Sequence, residues 1–335
     1  MPLIKAIDLP AGVEPGLRFA LVLDGNGGCR GVDWRGVAAW RPEDGFLWVH
    51  LERDTDEAAA WIHGASGIDP LVGEELLAED TRPRVEHLDQ AMLIVLRGIN
   101  RAEVEEPELV PIHIWMEAGR AVTLRDRGHA LVALRDIRCM LDAERGPKTG
   151  GALLVHIADK VIRDVEPVID EMDDTLETLE DRLSDKDSAA LRRELAEVRR
   201  NAIHLRRYLG PQREAMLDLQ AEPTPLLDRV CRLRLRGVTD RVVRACEDLD
   251  AVRDRATILY QDLTAQVQEA IARNSYRFSV VAAVLLPPSL VAGILGVNLG
   301  GIPGSEAPTA FYELIGVLAV LMVVQFIVLK LIKWL

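Results

Sequence analysis

The stretch FSVVAAVLLPPSLVAGILGV, residues 278–297, decides how the C-terminal part of this chain folds. It is twenty residues long, and no charged side chain occurs in it or in the residues that follow as far as Gly304. An α-helix rises about 1.5 Å per residue, so this stretch is long enough to cross the hydrocarbon core of a bilayer. Its length and lack of charge predict a membrane-spanning helix rather than a buried hairpin in a soluble protein.

A second apolar segment, LIGVLAVLMVVQFIVLKLIKWL, occupies residues 314–335. Arg273 and Arg277 precede the first span and Lys330 and Lys333 close the second, whereas the loop between the spans carries two glutamates and no lysine or arginine. The positive-inside rule therefore predicts both termini in the cytoplasm and the connecting loop at the external face. One hairpin cannot enclose a pore, so conduction would require several copies, most simply in a closed ring.

The N-terminal part combines strand patterns with helical patterns, which predicts a mixed α/β domain in the cytosol over residues 1–150. The strand patterns are FALVLD, FLWVHLE, QAMLIVLRGI, ELVPIHIWME and RAVTLRD. The helical patterns lie at about residues 54–64, 69–79 and 127–142. Beyond residue 150 only helices are predicted. They are a helical hairpin at 151–225, a stalk helix at 226–277, the first span at 278–297, the loop at 298–313, and the second span with a short basic tail at 314–335.

The stalk continues into the first span without an intervening proline until Pro287, which predicts one long helix. Apolar side chains alternate along it by three and four residues, so this face should pack against neighbouring helices. These positions are Val242, Ala245, Leu249, Val252, Ala256, Leu259, Leu263, Gln266 and Ala270, of which Gln266 is the polar exception.

Several classes of function are disfavoured by composition. The net charge of −13 argues against nucleic acid as a partner, because phosphate binding requires a basic face. The sequence contains no Walker loop, no GxSxG and no HExxH, so an enzyme is the least favoured class. A membrane-tethered sensor or scaffold, with the hairpin as a simple anchor, is a third hypothesis.

The sequence LPPSLVAGILGVN, followed by LGGIPG, resembles the CorA-type family of divalent cation transporters, in which two C-terminal spans flank a Gly-x-Asn signature. TRPRVEHLDQAMLIVL, residues 81–96, and the ending LKLIKWL are also similar to the family. Magnesium-transporting members usually follow the asparagine with an aromatic residue and a Met-Pro-Glu-like turn. This chain has Gly-Gly-Ile-Pro instead, which resembles the zinc-transporting ZntB branch.

The resemblance implies an α+β membrane protein that assembles as a funnel-shaped homopentamer, with the first span lining the pore. Gly296, Val297 and Asn298 would then form the ion-selective site at the outer mouth. A ring of neutral amide oxygens can accept hydrogen bonds from the water shell of a divalent cation. A helix C-cap is the structural alternative for Asn298, and both roles are compatible.

Other pathway residues follow from the same resemblance. Gly300 and Gly301 would bring backbone carbonyls close to the mouth. Glu306 and Glu313 would concentrate cations outside the pore.

Farther along the span, Ser289 matches a hydroxyl position inside the pore of family members. Phe278 lies near their inner hydrophobic constriction, which can gate by dewetting. A lipid-facing ring is the equal alternative for Phe278.

The identity of the metal cannot be derived from the spans themselves. Zinc normally prefers histidine and cysteine ligands, and neither span contains either residue. Physical chemistry alone predicts a hydrated divalent cation, and zinc rests on the resemblance. The function predicted is therefore passive or proton-coupled zinc transport across the inner membrane, with uptake favoured over efflux and a magnesium or cobalt channel as the alternative. Zn2+ would be cargo, no covalently bound cofactor is expected, and resident metal sites are unknown.

Overall fold

The computed structural model describes residues 15–79, 81–100, 108–129, 131–184, 188–221, 224–297 and 308–331. The chain divides into two compact units, Met1–Tyr260 and Gln261–Leu335. The first unit contains a mixed β-sheet with helices on it, and the second contains the apolar C-terminal helices. The domain bounds given above stay predictions, while the helix and strand bounds below are those of the structure.

The first unit is built on a seven-stranded sheet in the order β2-β1-β3-β7-β6-β5-β4. The strands are β1 Leu17–Leu23, β2 Cys29–Val32, β3 Phe46–Glu52, β4 Arg84–Leu88, β5 Ala91–Ile99, β6 Leu109–Glu117 and β7 Arg120–Arg125. Among these described strands, β3 and β7 form the one parallel pair, and the remaining neighbours are antiparallel. The five predicted strands coincide with β1, β3, β5, β6 and β7, and the short strands β2 and β4 were not predicted.

Three short helices cover one face of the sheet. Each is stabilised by capping of its first turn and by packing of its apolar side chains on the sheet. They are α1 Trp34–Ala39, α2 Asp56–His63 and α3 Pro70–Leu77. The Asp69 side chain accepts from the Leu71 backbone N–H at 2.9 Å, and Pro70 occupies the first helical position, so this helix begins where the helical pattern at 69–79 does. Their buried side chains pack against Val49 and Leu124 in one core. Burying each such aliphatic side chain contributes about 1.5–3 kcal/mol.

Longer helices follow the sheet. They are α4 Val132–Asp142, α5 Gly150–Asp181, α6 Ser188–Ala221, α7 Arg229–Leu295 and α8 Ala310–Leu331, with short 3-10 turns at Pro42–Asp44 and Arg182–Ser184. The long helix predicted from residue 226 is confirmed as α7, which is continuous over 67 residues. Its predicted apolar face is buried from Val242 to Leu263, whereas Gln266 and Ala270 are exposed.

His113 in β6 is fully buried, in the centre of the sheet's hydrogen-bonded core. Its Nε2 lies 2.7 Å from Thr81 Oγ1, and its Nδ1 has no hydrogen-bond partner among the described residues. Burial, followed by the charge of Arg53, lowers the pKa of His113 from 6.5 to about 4. The imidazole is therefore neutral in the folded chain near neutral pH.

We expect the free energy of unfolding to fall as the pH drops from 6.5 towards 4, because the unfolded chain takes up the proton first. The variant His113→Gln should lose a measurable part of this pH dependence in thermal unfolding followed by tryptophan fluorescence. The control is His63→Gln, on the exposed side of α2, which should keep the dependence of the native chain. Identical pH profiles for the native chain and His113→Gln would contradict this prediction.

Candidate ion pathway

Two described helices, α7 and α8, contain segments long and apolar enough to cross a membrane. Core helices of soluble proteins can meet the same criteria, but they are mostly buried, and the apolar windows of α7 and α8 are not buried in this chain at all. Phe278 is 75% exposed and Leu290 is 64% exposed, and Phe326 in α8 is 54% exposed. A continuous apolar surface of this extent requires lipid or other copies of the chain to cover it.

The predicted pathway residues of the first span share one face of α7. Phe278 and Ser289 are eleven residues apart, which is about three helical turns, and Gly296 follows Ser289 by seven residues, about two turns. All three are exposed within the single chain. Because the helix continues through Pro287 and Pro288, this alignment extends along the whole apolar segment.

The carboxyl end of α7 has a small-residue surface. The helical hydrogen bonding extends one residue beyond Leu295, since the Gly296 N–H donates to the Ala292 carbonyl at 2.9 Å. A Cβ at Gly296 would lie 3.0 Å from that carbonyl oxygen, so a larger side chain would press on the last turn. A Cβ at Gly293 would meet nothing within 4 Å, which leaves this position open to another helix.

The structure places only part of the predicted outer mouth. Val297 is the last described residue after α7 and is 46% exposed. Asn298, Gly300, Gly301 and Glu306 lie outside the described residues. The chain is described again from residue 308, immediately before α8.

The second apolar helix begins at Ala310 rather than at Leu314, so Glu313 lies in its first turn instead of in the loop. Thr309, the residue before the helix, makes two contacts with Glu313. Its carbonyl accepts the Glu313 N–H at 3.1 Å, and its hydroxyl donates to Glu313 Oε1 at 2.9 Å. A carboxylate in the first turn also interacts favourably with the helix dipole. A threonine directly before an apolar run is an N-cap signal, which sequence reasoning overlooked here.

Gln325 is a polar residue in the C-terminal half of α8 that was not predicted as a site, and its Oε1 is buried without a hydrogen-bond partner among the described residues. An amide oxygen at such a depth in lipid requires a donor. Within the described residues, no group of three or more histidine, cysteine, aspartate or glutamate side chains is arranged to hold a metal ion.

Comparison with known proteins gives consistent matches along nearly the whole chain. A family model described as "CorA-like Mg2+ transporter protein" matches residues 43–331. The chain is 31% identical over 330 residues to the divalent cation transporter CmaX of Pseudomonas aeruginosa, covering 97% of this chain and 98% of that protein. It is 34% identical over 308 residues to the zinc transport protein ZntB of Pectobacterium carotovorum, covering 91% and 92%.

The fold agrees with these sequence matches. The structure of the full-length CmaX protein aligns with a TM-score of 0.82 at 30% identity, covering 97% of this chain and all of that one. The predicted combination of an α/β domain, a long helix and two apolar C-terminal helices is thereby confirmed. The chain belongs to the CorA-like family of divalent cation transporters and not to a family of enzymes.

Proposed function

We propose that this chain transports zinc across the bacterial inner membrane through a homopentameric pore, by proton-coupled uptake. The observation that carries the proposal is similarity over more than nine-tenths of the chain to proteins named as divalent cation and zinc transporters. Two uncovered apolar helices at the C-terminus are what such a protein requires. The class of function is divalent cation transport, and zinc is the cation that we propose for this chain.

The pore in this proposal is lined by the face of α7 that carries Phe278, Ser289 and Gly296. Several copies of this face around an axis would place Gly296 and the Ser289 hydroxyl on the mouth side of the pore. The phenyl ring of Phe278 would face the pore at the other end. Asn298 would follow directly, as an uncharged ring that binds the hydrated cation without holding it too tightly. The apolar collar at Phe278 would close by dewetting.

Carboxylates outside the membrane would raise the local concentration of cations. Five copies of Glu306 and Glu313 would surround the mouth if the loop is periplasmic. Gly300 and Gly301 would let the backbone approach the ion. The arginines before the first span and the lysines after the second support cytoplasmic termini.

Proton coupling in this proposal cannot use a titratable group inside the first span. Residues 278–297 contain no aspartate, glutamate or histidine. The proton would travel with water or be taken up by Glu306, by Glu313 or by groups outside the bilayer. A magnesium channel is the second candidate, favoured by the description of the matching family model.

Flux measurements on sealed vesicles containing the purified full-length chain test the proposal. With zinc outside and an inward proton gradient, we expect zinc uptake that slows when the gradient is collapsed, and little magnesium uptake. Protein-free vesicles are the control. Magnesium uptake without zinc uptake would replace the zinc proposal with the magnesium candidate. No flux of either metal would leave the tethered sensor or scaffold as the better hypothesis.

A further inference from the structure

The parallel strands β3 and β7 end side by side, and the chain leaves them towards opposite faces of the sheet. After β3 it enters α2, whose Ala58 and Ile62 join the core formed with Val49 and Leu51. After β7 it enters α4, whose Arg138 guanidinium lies 5.4 Å from the centre of the Phe19 ring on the other face. In open α/β sheets, ligands bind in the crevice that such a divergence creates at the carboxyl ends of the strands.

A group of arginines occupies this position. Glu52 and Arg125 are the last residues of β3 and β7 and are paired in register, so their side chains emerge on the same face. Arg18 comes from an irregularity in β1, where the register shifts between Leu17 and Phe19, and its Nη1 donates to Glu52 Oε1 at 3.0 Å. Arg127 Nη2 donates to Glu52 Oε2 at 3.3 Å. We call Arg18, Glu52, Arg125 and Arg127 the arginine cluster.

Two guanidinium groups, those of Arg18 and Arg127, therefore share one carboxylate in the arginine cluster. Both oxygens of Glu52 are used by Arg18 and Arg127, and the buried Nε of Arg125 has no hydrogen-bond partner among the described residues. Burial, and then the charge of Arg18, lowers the pKa of Arg125, against the opposing effect of Glu52. The neighbouring His50 is neutral, because burial and then the charge of Arg125 lower its pKa well below the usual value.

The backbone around the cluster is held in place by bonds between the two strand ends. The Arg53 N–H donates to the Arg125 carbonyl at 2.8 Å, and the Arg127 N–H donates to Asp54 Oδ1 at 3.0 Å. The Arg53 side chain pairs with Asp126 and donates to the Leu77 carbonyl at 2.6 Å. Arg53 and Asp126 thus form an ion pair of their own, whereas the Nε of Arg125 has no hydrogen-bond partner among the described residues.

We propose that the arginine cluster binds a small phosphate-type anion, either inorganic phosphate or the phosphate group of a nucleotide. Guanidinium groups present planar pairs of donors that match phosphate oxygens, and the three of the arginine cluster come from the carboxyl end of β7 and from β1, which lies beside β3, where the topological rule places ligands. Among the described residues, Arg125 Nε is a donor without a partner, and Arg127, whose side chain is 69% exposed, can turn towards the same ligand.

Titration calorimetry on the purified full-length chain tests this site, with inorganic phosphate and adenosine monophosphate as separate ligands at constant ionic strength. We expect saturable binding of phosphate, weakened roughly tenfold or more by Arg125→Gln. Glu52→Gln should tighten binding, because it releases Arg18 and Arg127 from the internal carboxylate. Tighter binding of adenosine monophosphate than of phosphate would identify a phosphate ester as the ligand. Tighter binding of inorganic phosphate would identify the free anion.

Arg30→Gln is the matched control, since it removes the same charge from an exposed position of β2 and should bind phosphate like the native chain. Arg125→Lys keeps the charge and should fold while binding more weakly. The proposal is overturned if neither ligand binds the native chain, if Arg125→Gln binds as well as Arg30→Gln, or if Glu52→Gln weakens binding.

Discussion

Replacing Asn298 by alanine is expected to nearly abolish divalent cation flux while the assembly stays intact. In the proposed pore, the amide ring at the outer mouth replaces part of the interaction between the cation and bulk water. A methyl group offers no acceptor, so the ion would meet an apolar opening and would have to enter without compensation for lost hydration. The measurement is zinc and magnesium uptake into vesicles reconstituted with equal amounts of native and variant protein.

The control for this variant is Asn26→Ala, the same substitution in the exposed turn between β1 and β2. It should leave flux unchanged. Size-exclusion chromatography with light scattering would follow the assembly of each variant. Native flux from an intact Asn298→Ala assembly would defeat the pore assignment. Loss of the assembly itself would instead indicate that Asn298 acts chiefly as the cap of α7.

Replacing Gly151 by alanine is expected to destabilise the first unit strongly. Gly151 lies in the first turn of α5, where a Cβ would stand 2.5 Å from the Leu226 carbonyl oxygen and 3.3 Å from Leu227 Cδ2. The closer obstacle is backbone, so the helix or the segment before α7 would have to shift. Overpacking of this kind costs typically about 1–3 kcal/mol. A lower midpoint in thermal unfolding, followed by tryptophan fluorescence, would show it.

For Gly237→Ala, in the part of α7 that belongs to the same unit, we expect the opposite effect on stability. Gly237 is exposed in α7, and a Cβ there would meet nothing within 4 Å. Alanine should stabilise the helix by roughly 0.5–1 kcal/mol, because it reduces the entropy of the unfolded chain. If the two substitutions shifted the unfolding midpoint alike, the close approach at Gly151 would not be the cause.

Much of the fold could be predicted from local patterns because those patterns reflect burial. FLWVHLE predicted β3 correctly since nearly every side chain of this central strand is buried. The edge strand β4 was missed because its residues, RVEHL, are partly exposed and mostly polar. The strand β2 contains a glycine and is only four residues long, so it has no hydrophobic repeat to detect.

The two candidate sites also differ in how far local sequence patterns predict them. The face shared by Phe278, Ser289 and Gly296 follows from helical periodicity, which is visible in a single segment. The arginine cluster is different, since it depends on Glu52 meeting Arg125 across a parallel pair. Local periodicity does not indicate which strands pair or in which register, and therefore the cluster could be recognised only in the structure.

The parallel pairing of β3 with β7 also has a consequence for biosynthesis. Such a pairing cannot form until the intervening strands β4, β5 and β6 have left the ribosome, so closing the centre of the sheet is a late and slow event in the folding of this unit. The apolar residues from Phe278 onwards are translated later still. The order of synthesis thus allows the sheet to mature before membrane insertion begins.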